Sequence, residues 1–384
     1  MNICMLTSEF PPDLGGISYG VYDLSRKLIK RGHSITVITR GTWKKSLYEE
    51  LDGIHVYRVR FIPWYPSPFW LHGTWVNRLF KSLESDFDLL HVQGSLVPFI
   101  HTSLPVVHTS HGTTQKDIDN MAIKSFHFFI AKLLGKQLIK AERDLLYRAD
   151  VITAVSRSCA NELKIYYGIE KEIVIIYAGV DTGYFTPRDN NHTGEAYVLY
   201  TGRLETRKGI ADLIEAAKYV CQKYPDTKFI LTGKGTVEKH LKELVNDLNL
   251  EKNFYFPGYV DRDAVIKYYQ NATVYVLPSY YEGLPTTLRE SMSCGIPTVA
   301  TNVEGSSELI ADGETGLLVP PRDPQKLSEA ILKLLDNEEL RKQIGLKARR
   351  YIEGNCDYEI IADRIEAAYE SALSTDRQAN TGRR

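Results

Sequence analysis

Residues 3–39 read ICMLTSEFPPDLGGISYGVYDLSRKLIKRGHSITVIT. An apolar run, Ile3–Thr7, meets a loop with two prolines and two glycines. Apolar residues then recur at helical spacing from Ile17 to Gly32, and a second apolar run fills Ser34–Thr39. Short unbroken apolar runs suit strands covered on both faces, and the helical segment between them suits a parallel crossover. The stretch is β-loop-α-β, the opening of an α/β domain. Further short runs stand at Asp88–Val92, Pro105–Ser110 and Val151–Ser156, with a long helical stretch from about Ser125 to Arg148 among them.

The same grammar restarts in the second half. After the polar FTPRDNNHTGE, residues 185–195, AYVLYTG leads through RLETRKG into the helical IADLIEAAKYV. KFILTG, FYFPGYV, VYVLPS, IPTVAT and GLLVP continue as buried-looking strands, with helical patterns between several of them. Two doubly wound modules account for this better than one large sheet, because each half restarts its own alternation. A chain of 384 residues is also too long for one ordinary core and comfortable for two. No short sequence repeat accompanies the duplication. Near the end, DYEIIADRIEAAYESAL is an amphipathic helix, and STDRQANTGRR after it reads as a frayed tail.

Composition narrows the function classes. The chain is 43% hydrophobic and 25% charged, which is globular, and its net charge of −1 gives no basic field for nucleic acid. The start, MNICMLTSEF, lacks a basic segment followed by an apolar one, so no signal peptide is expected. No apolar run approaches the roughly 20 residues of a spanning helix. Cys4, Cys159, Cys221, Cys294 and Cys356 are scattered, odd in number and form no CxxC. That pattern suits a reduced cytoplasm and argues against a disulfide framework or a zinc site.

Ligands of open α/β sheets bind beyond the carboxyl ends of the strands, so the strand-end loops carry the chemistry. In PPDLGGISYG, Gly15 and Gly16 stand just before a helix, where backbone amides and the helix terminus favour an anion. The spacing is neither the dinucleotide fingerprint nor a P-loop, and plain turn chemistry explains the glycines equally well. In TGRLETRKGI, Arg203, Arg207 and Lys208 lie between a strand and a helix. They offer a diphosphate compensating charge without metal, or they are simply solvated surface basics.

EGLPTTLRE, residues 282–290, sets two carboxylates around a glycine and a proline. Pro285 is tolerated in a first helical turn, so a helix begins within GLPTT, with Glu282 before it and Glu290 on its second turn. Exposed amides at Gly283 and Leu284 would face a phosphate above the helix start. A glycosidase pair must flank a scissile bond at roughly 5 to 10 Å. Two carboxylates on one loop-helix unit reach that separation only beside an anion site. A metal pair needs converging oxygens, and no histidine or third carboxylate stands nearby. One glutamate on a sugar, the other on a ribose and phosphate between them fits best; an ordinary surface helix is the bland alternative. The Asp-x-Asp pairs at Asp86–Asp88, Asp117–Asp119 and Asp261–Asp263 read as surface acids. His111, in HTSHGTT, ends another strand and on its own reads as structural as readily as catalytic.

Together these loops resemble family 4 of the retaining glycosyltransferases (GT4), which have the GT-B fold. The match runs along nearly the whole chain, from the opening stretch through HG, AGVDTGYFTP and GRLETRKG to EGLPTTLRE and DGETGLLVPPRDPQKL. EGLPTTLRE fits the family's E-x7-E pattern, and Ala178 departs from the asparagine more usual there. The resemblance implies two Rossmann-like domains facing a central cleft. Residues 1–178 would be the acceptor side, 179–356 the donor domain, and 357–374 a helix crossing back onto the first domain ahead of the frayed tail at 375–384. It implies a UDP- or GDP-linked sugar as donor, with no cofactor and no metal. Arg203 and Lys208 would neutralise the diphosphate, helped by the amides of Gly16, Gly283 and Leu284. Glu290 would bind the ribose. Glu282 would hold the donor sugar and stabilise charge at its anomeric carbon, with His111 beside the reacting face.

The acceptor would meet the first domain and be a glycan, a lipid-linked sugar or a small molecule. Two segments there stand out. FIPWYPSPFWLHGTWVNRLF carries Trp64, Trp70 and Trp75, which stack on sugars, sit at a membrane interface or pack on the core. IKSFHFFIAKLLGKQLIKAERDLLYR combines Phe126, Phe129, Ile130, Leu133 and Leu134 with Lys124, Lys132, Lys136 and Lys140. A basic amphipathic helix of this kind either lies on an anionic membrane face or covers a core. A sugar-nucleotide epimerase, a pyridoxal phosphorylase and a catalytically silent sugar-nucleotide-binding partner subunit are the rivals. The intact loop set disfavours the first and third, and chain length the second.

Overall fold

The computed structural model describes the chain except residues 14, 44–45, 63–66, 95–99, 120–125, 189–196 and 382–384. For residues 67–70, 117, 119, 126–134 and 376–381 it describes the backbone alone. The chain divides into two compact units, Met1–Gly179 with Tyr358–Arg384, and Val180–Asp357.

The first unit is built on an eight-stranded sheet. Its strands are β1 (Asn2–Thr7), β2 (Ser34–Arg40), β3 (Leu47–Leu51), β4 (Ile54–Val59), β5 (Leu89–Gln93), β6 (Val106–Ser110), β7 (Val151–Ala154) and β8 (Ile173–Ile175). They lie in the order β3-β4-β2-β1-β5-β6-β7-β8, all parallel except β3, which pairs antiparallel with β4. Alternation along β1 explains its unbroken apolar run. Ile3 and Met5 enter one core with Val21, Leu24 and Leu28 of the helix Gly16–Lys30. Cys4 and Leu6 enter another with Val76, Phe80 and Ile152. Both faces are covered, so every position is apolar.

The helix Tyr358–Thr381 completes the first of these cores. Tyr358, Ile361, Ala362, Ile365 and Tyr369 recur at helical spacing and pack against Ile3, Met5 and Leu28. Outside that seam Arg31 pairs with Glu359 at 2.9 Å, Asp363 at 2.6 Å and Glu366 at 2.8 Å. Those hydrogen bonds hold the guanidinium charged, but exposed pairs add little beside the buried seam. The helix runs on to Thr381 through the stretch expected to fray, because residues 374–381 contain no proline or glycine to stop it.

The second unit has six parallel strands: β9 (Tyr197–Thr201), β10 (Lys228–Thr232), β11 (Phe254–Gly258), β12 (Val274–Leu277), β13 (Thr298–Thr301) and β14 (Leu317–Val319). Their order is β11-β10-β9-β12-β13-β14. Strand order reverses between β1 and β5 in one sheet and between β9 and β12 in the other. Crossovers diverge at such a point and leave a crevice beyond the strands' carboxyl ends. All five cysteines are free thiols, four of them buried. Among the described residues no helix is long and apolar enough to cross a membrane.

Candidate active site

The loops beyond β9 and β12 meet at the reversal point of the second sheet. After β9 the chain makes a short turn, Thr206–Lys208, and enters the helix Ile210–Lys223 through Gly209. Gly209 has φ +63°, and a Cβ there would lie 1.9 Å from the carbonyl oxygen of Pro278 in the loop after β12. The amide of Tyr280 donates to the carbonyl of Arg207 at 2.8 Å. The two loops are thereby stitched together by backbone. A third joins them: Gly305 donates its amide to the Glu282 carbonyl at 3.2 Å, and a Cβ at Gly305 would press within 2.5 Å of the Gly283 carbonyl.

This stitching brings Lys208 to Glu282. The ammonium lies 2.5 Å from Oε1 of Glu282, with the lysine side chain 13% and the glutamate 7% exposed. Ser279, fully buried, donates its hydroxyl to the same oxygen at 2.6 Å. Arg207 stands 3.9 Å from the other carboxylate oxygen. Burial pulls the Lys208 pKa below the usual lysine value; the Glu282 carboxylate opposes that shift. Arg203 is more open, its side chain 67% exposed and 3.2 Å from Glu205. Around the Thr206–Lys208 turn three cations thus face Glu205 and Glu282, a local excess that suits an anionic guest there.

The helix Thr286–Ser293 follows directly, with Pro285 at its N-cap position and no side chain capping its first amides. Gly283 and Leu284 are half-buried in the entry to this helix. Glu290 lies on the second turn and accepts a hydrogen bond from Tyr269 at 2.8 Å. Tyr269 is completely buried against Phe185 and Tyr275, and burial together with the Glu290 charge keeps its phenol protonated. The donor direction is therefore fixed, and the carboxylate is oriented by a rigid partner.

Gly16 and His111 belong to the first unit. Gly16 opens the helix Gly16–Lys30 beyond β1, and His111 follows β6. The His111 ring nitrogen Nε2 lies 2.9 Å from Oε1 of Gln93, the last residue of β5. Gly16 follows β1 at the reversal point of that sheet, and His111, one strand beyond β5, reaches the end of β5 through Gln93. Of the Asp-x-Asp pairs, Asp261 caps a helix by accepting from the Ala264 amide at 2.8 Å, and Asp88 accepts from the Asn2 amide at 2.7 Å. Ser279, Tyr269 and Gln93 were not singled out from the sequence. Ser279 stands three residues ahead of Glu282 and Gln93 ends an apolar strand, and a polar residue in such a place is the available signal.

Residues 185–351 match the family model described as glycosyl transferases group 1, and residues 14–184 match that of glycosyltransferase family 4. The chain belongs to the group 1 glycosyltransferases. The enzyme is 27% identical to a glycogen synthase of Mycobacterium tuberculosis, over 98% of this chain and 96% of that one. The sucrose-phosphate synthase of Thermosynechococcus elongatus superposes with a TM-score of 0.82 at 23% identity, covering 97% of this chain and 99% of that one. HepE of Anabaena, crystallised with UDP-glucose, gives 0.74 at 18% identity, covering 97% and all of that chain. These likenesses establish the fold as GT-B.

Proposed function

We propose that the enzyme moves a hexose-type sugar from a UDP- or GDP-linked donor to an acceptor with retention of anomeric configuration and without metal. The observation that carries this reading is the buried Lys208–Glu282 pair at the strand-order reversal of the second unit, with Arg207 and Arg203 alongside. The cations would compensate the diphosphate, and Glu290, oriented by Tyr269, would accept from the ribose hydroxyls. Glu282 would hold the donor sugar's hydroxyls and offset positive charge at its anomeric carbon. The amides of Gly283, Leu284 and Gly16 would donate to phosphate oxygens. His111 would stand beside the reacting face. That HepE was crystallised with UDP-glucose supports a nucleotide-sugar donor.

In the reaction the bond from the anomeric carbon to the phosphate oxygen breaks, and its electron pair stays on the diphosphate. Charge accumulates there, so preorganised cations and amides matter most. The acceptor oxygen forms the new bond on the face the leaving group vacates and passes its proton to a phosphate oxygen. No enzyme nucleophile takes part.

Calorimetry with UDP, GDP, ADP and NAD in excess chelator tests the donor site. One nucleoside diphosphate is expected to bind, with Glu290→Ala weakening it about 10- to 100-fold, the worth of a hydrogen bond to a charged group. Binding of NAD alone, or binding only after a divalent metal is restored, would overturn the assignment.

The first domain is taken as the acceptor side, for a glycan or lipid-linked sugar. Trp64 lies outside the described residues, as do Lys124 and the side chains of Trp70, Phe126, Phe129, Ile130, Lys132, Leu133 and Leu134. Trp75 is half-buried against the core, with the Arg60 guanidinium 5.3 Å over its ring. Lys136 and Lys140 are exposed on the helix Phe126–Arg148. A peripheral place on the cytoplasmic membrane face predicts co-sedimentation with anionic but not neutral liposomes, lost when both lysines become glutamate. Equal recovery in the supernatant with both lipids would remove the membrane from the reading.

A further inference from the structure

A chain of buried hydrogen bonds leads from the C-terminal helix to His111. Tyr369 of that helix sets its hydroxyl 2.7 Å from Nδ1 of His91, on β5. His91 is fully buried, and its Nε2 lies 2.7 Å from the Thr109 hydroxyl and 3.1 Å from the side-chain amide nitrogen of Gln93. Thr109 in turn meets Thr153 at 2.7 Å. The far end of the same Gln93 amide, its carbonyl oxygen, faces Nε2 of His111 at 2.9 Å.

Hydrogen-bond direction along this chain is constrained. Desolvation holds the His91 imidazole neutral, its pKa near 3, so one ring nitrogen donates and the other accepts. The Gln93 NH2 can only donate, which makes His91 Nε2 the acceptor and Nδ1–H the donor to Tyr369. With its nitrogen committed to His91, Gln93 presents only an acceptor to His111, so Nε2 of His111 must carry a hydrogen. In the neutral imidazole the lone pair then falls to Nδ1. In this orientation the Gln93 amide selects the Nε2–H tautomer of His111 and orients its ring.

We infer that Gln93 is a positioning residue for His111: anchored through His91 to Tyr369, it fixes which ring nitrogen of His111 bears the hydrogen. The inference rests on the proposal that His111 stands beside the reacting face, and the two fail separately. Long-range nitrogen–proton correlation spectra of histidine-labelled wild-type protein should show His111 as the Nε2–H tautomer. In Gln93→Met, close in size and unable to hydrogen-bond there, that signal should become a mixture of tautomers. Turnover of UDP-glucose or GDP-mannose, whichever the enzyme hydrolyses, should fall by about 10²-fold, the scale of a misplaced catalytic group. UDP or GDP affinity should stay within about twofold, since the diphosphate contacts assigned to Arg203 and Lys208 and the ribose contact assigned to Glu290 are untouched. Tyr369→Phe should give a smaller drop in turnover at unchanged nucleotide affinity.

A wild-type His111 found as the Nδ1–H tautomer overturns the inference, and that measurement needs no variant to fold. So does a Gln93→Met enzyme with unaltered His111 signals and full turnover. If His111→Ala retains full turnover while the tautomer results stand, the proposal for His111 fails and the positioning geometry does not.

Discussion

Replacing Glu282 by glutamine is expected to cut kcat about 10²- to 10³-fold, the usual cost of one preorganised electrostatic group in a closed site. Two effects act together. The carboxylate that would balance the oxocarbenium-like carbon is gone, and Lys208 loses its counter-charge. Burial already draws the lysine pKa down, and Glu282 is what opposes that. Without the carboxylate the pKa falls further, so the ammonium deprotonates at a lower pH and the cation needed by the leaving diphosphate is lost with it. The alkaline limb of the pH–rate profile should therefore move to lower pH in the variant. Glutamine retains the volume and an acceptor for Ser279, so a folded protein is expected by circular dichroism. A folded variant within threefold of wild-type kcat would remove Glu282 from the reacting centre.

Gly209→Ala is expected to cost about 2–4 kcal/mol of stability, combining a left-handed backbone with a hard overlap. The new Cβ would sit 1.9 Å from a backbone carbonyl, that of Pro278, which has no flexible end to swing aside. Either the helix Ile210–Lys223 shifts, with the Thr206–Lys208 turn that leads into it, or the loop after β12 does, and that turn and that loop both carry site residues. Lys208 precedes Gly209 directly, and Tyr280 hangs from Arg207 by its amide. The loss should appear in denaturant titration together with weakened nucleoside diphosphate binding. A variant as stable as wild type would mean the two loops are not interlocked at this glycine.

Much of the architecture was legible because parallel strands covered on both faces leave continuous apolar runs, as Ile3–Leu6 and Val274–Leu277 do. The β3–β4 pair was not among the runs read as strands. β3 is a sheet edge with no buried residue, so LYEEL carries no such run. Glu282 and Glu290 were identifiable from one contiguous motif, whose helix start at Pro285 is local chemistry. Which basic residue reaches Glu282 was not readable. Arg203, Arg207 and Lys208 lie within six residues, and only the short turn at Thr206–Lys208 decides that the lysine is buried while Arg203 stays open. Tyr269 and Gln93 were hidden because their partners Glu290 and His111 stand 21 and 18 residues along the chain, and no spacing encodes such a hydrogen bond. Ser279 stands only three residues before Glu282, and the fold of that loop decides that they meet.

The helix Tyr358–Thr381 also bears on how the protein is made. The first domain to leave the ribosome is the last to be complete, since one wall of its core is encoded beyond Asp357. At ordinary elongation rates of about 5–20 residues per second, Ile3, Met5 and Leu28 wait roughly 17–70 s for Ile361, Ile365 and Tyr369 to arrive. The second domain, contiguous from Val180 to Asp357, has every strand of its own sheet by then. Maturation therefore runs against the direction of synthesis, and a nascent chain truncated anywhere before Tyr358 presents an uncovered apolar face to the chaperones.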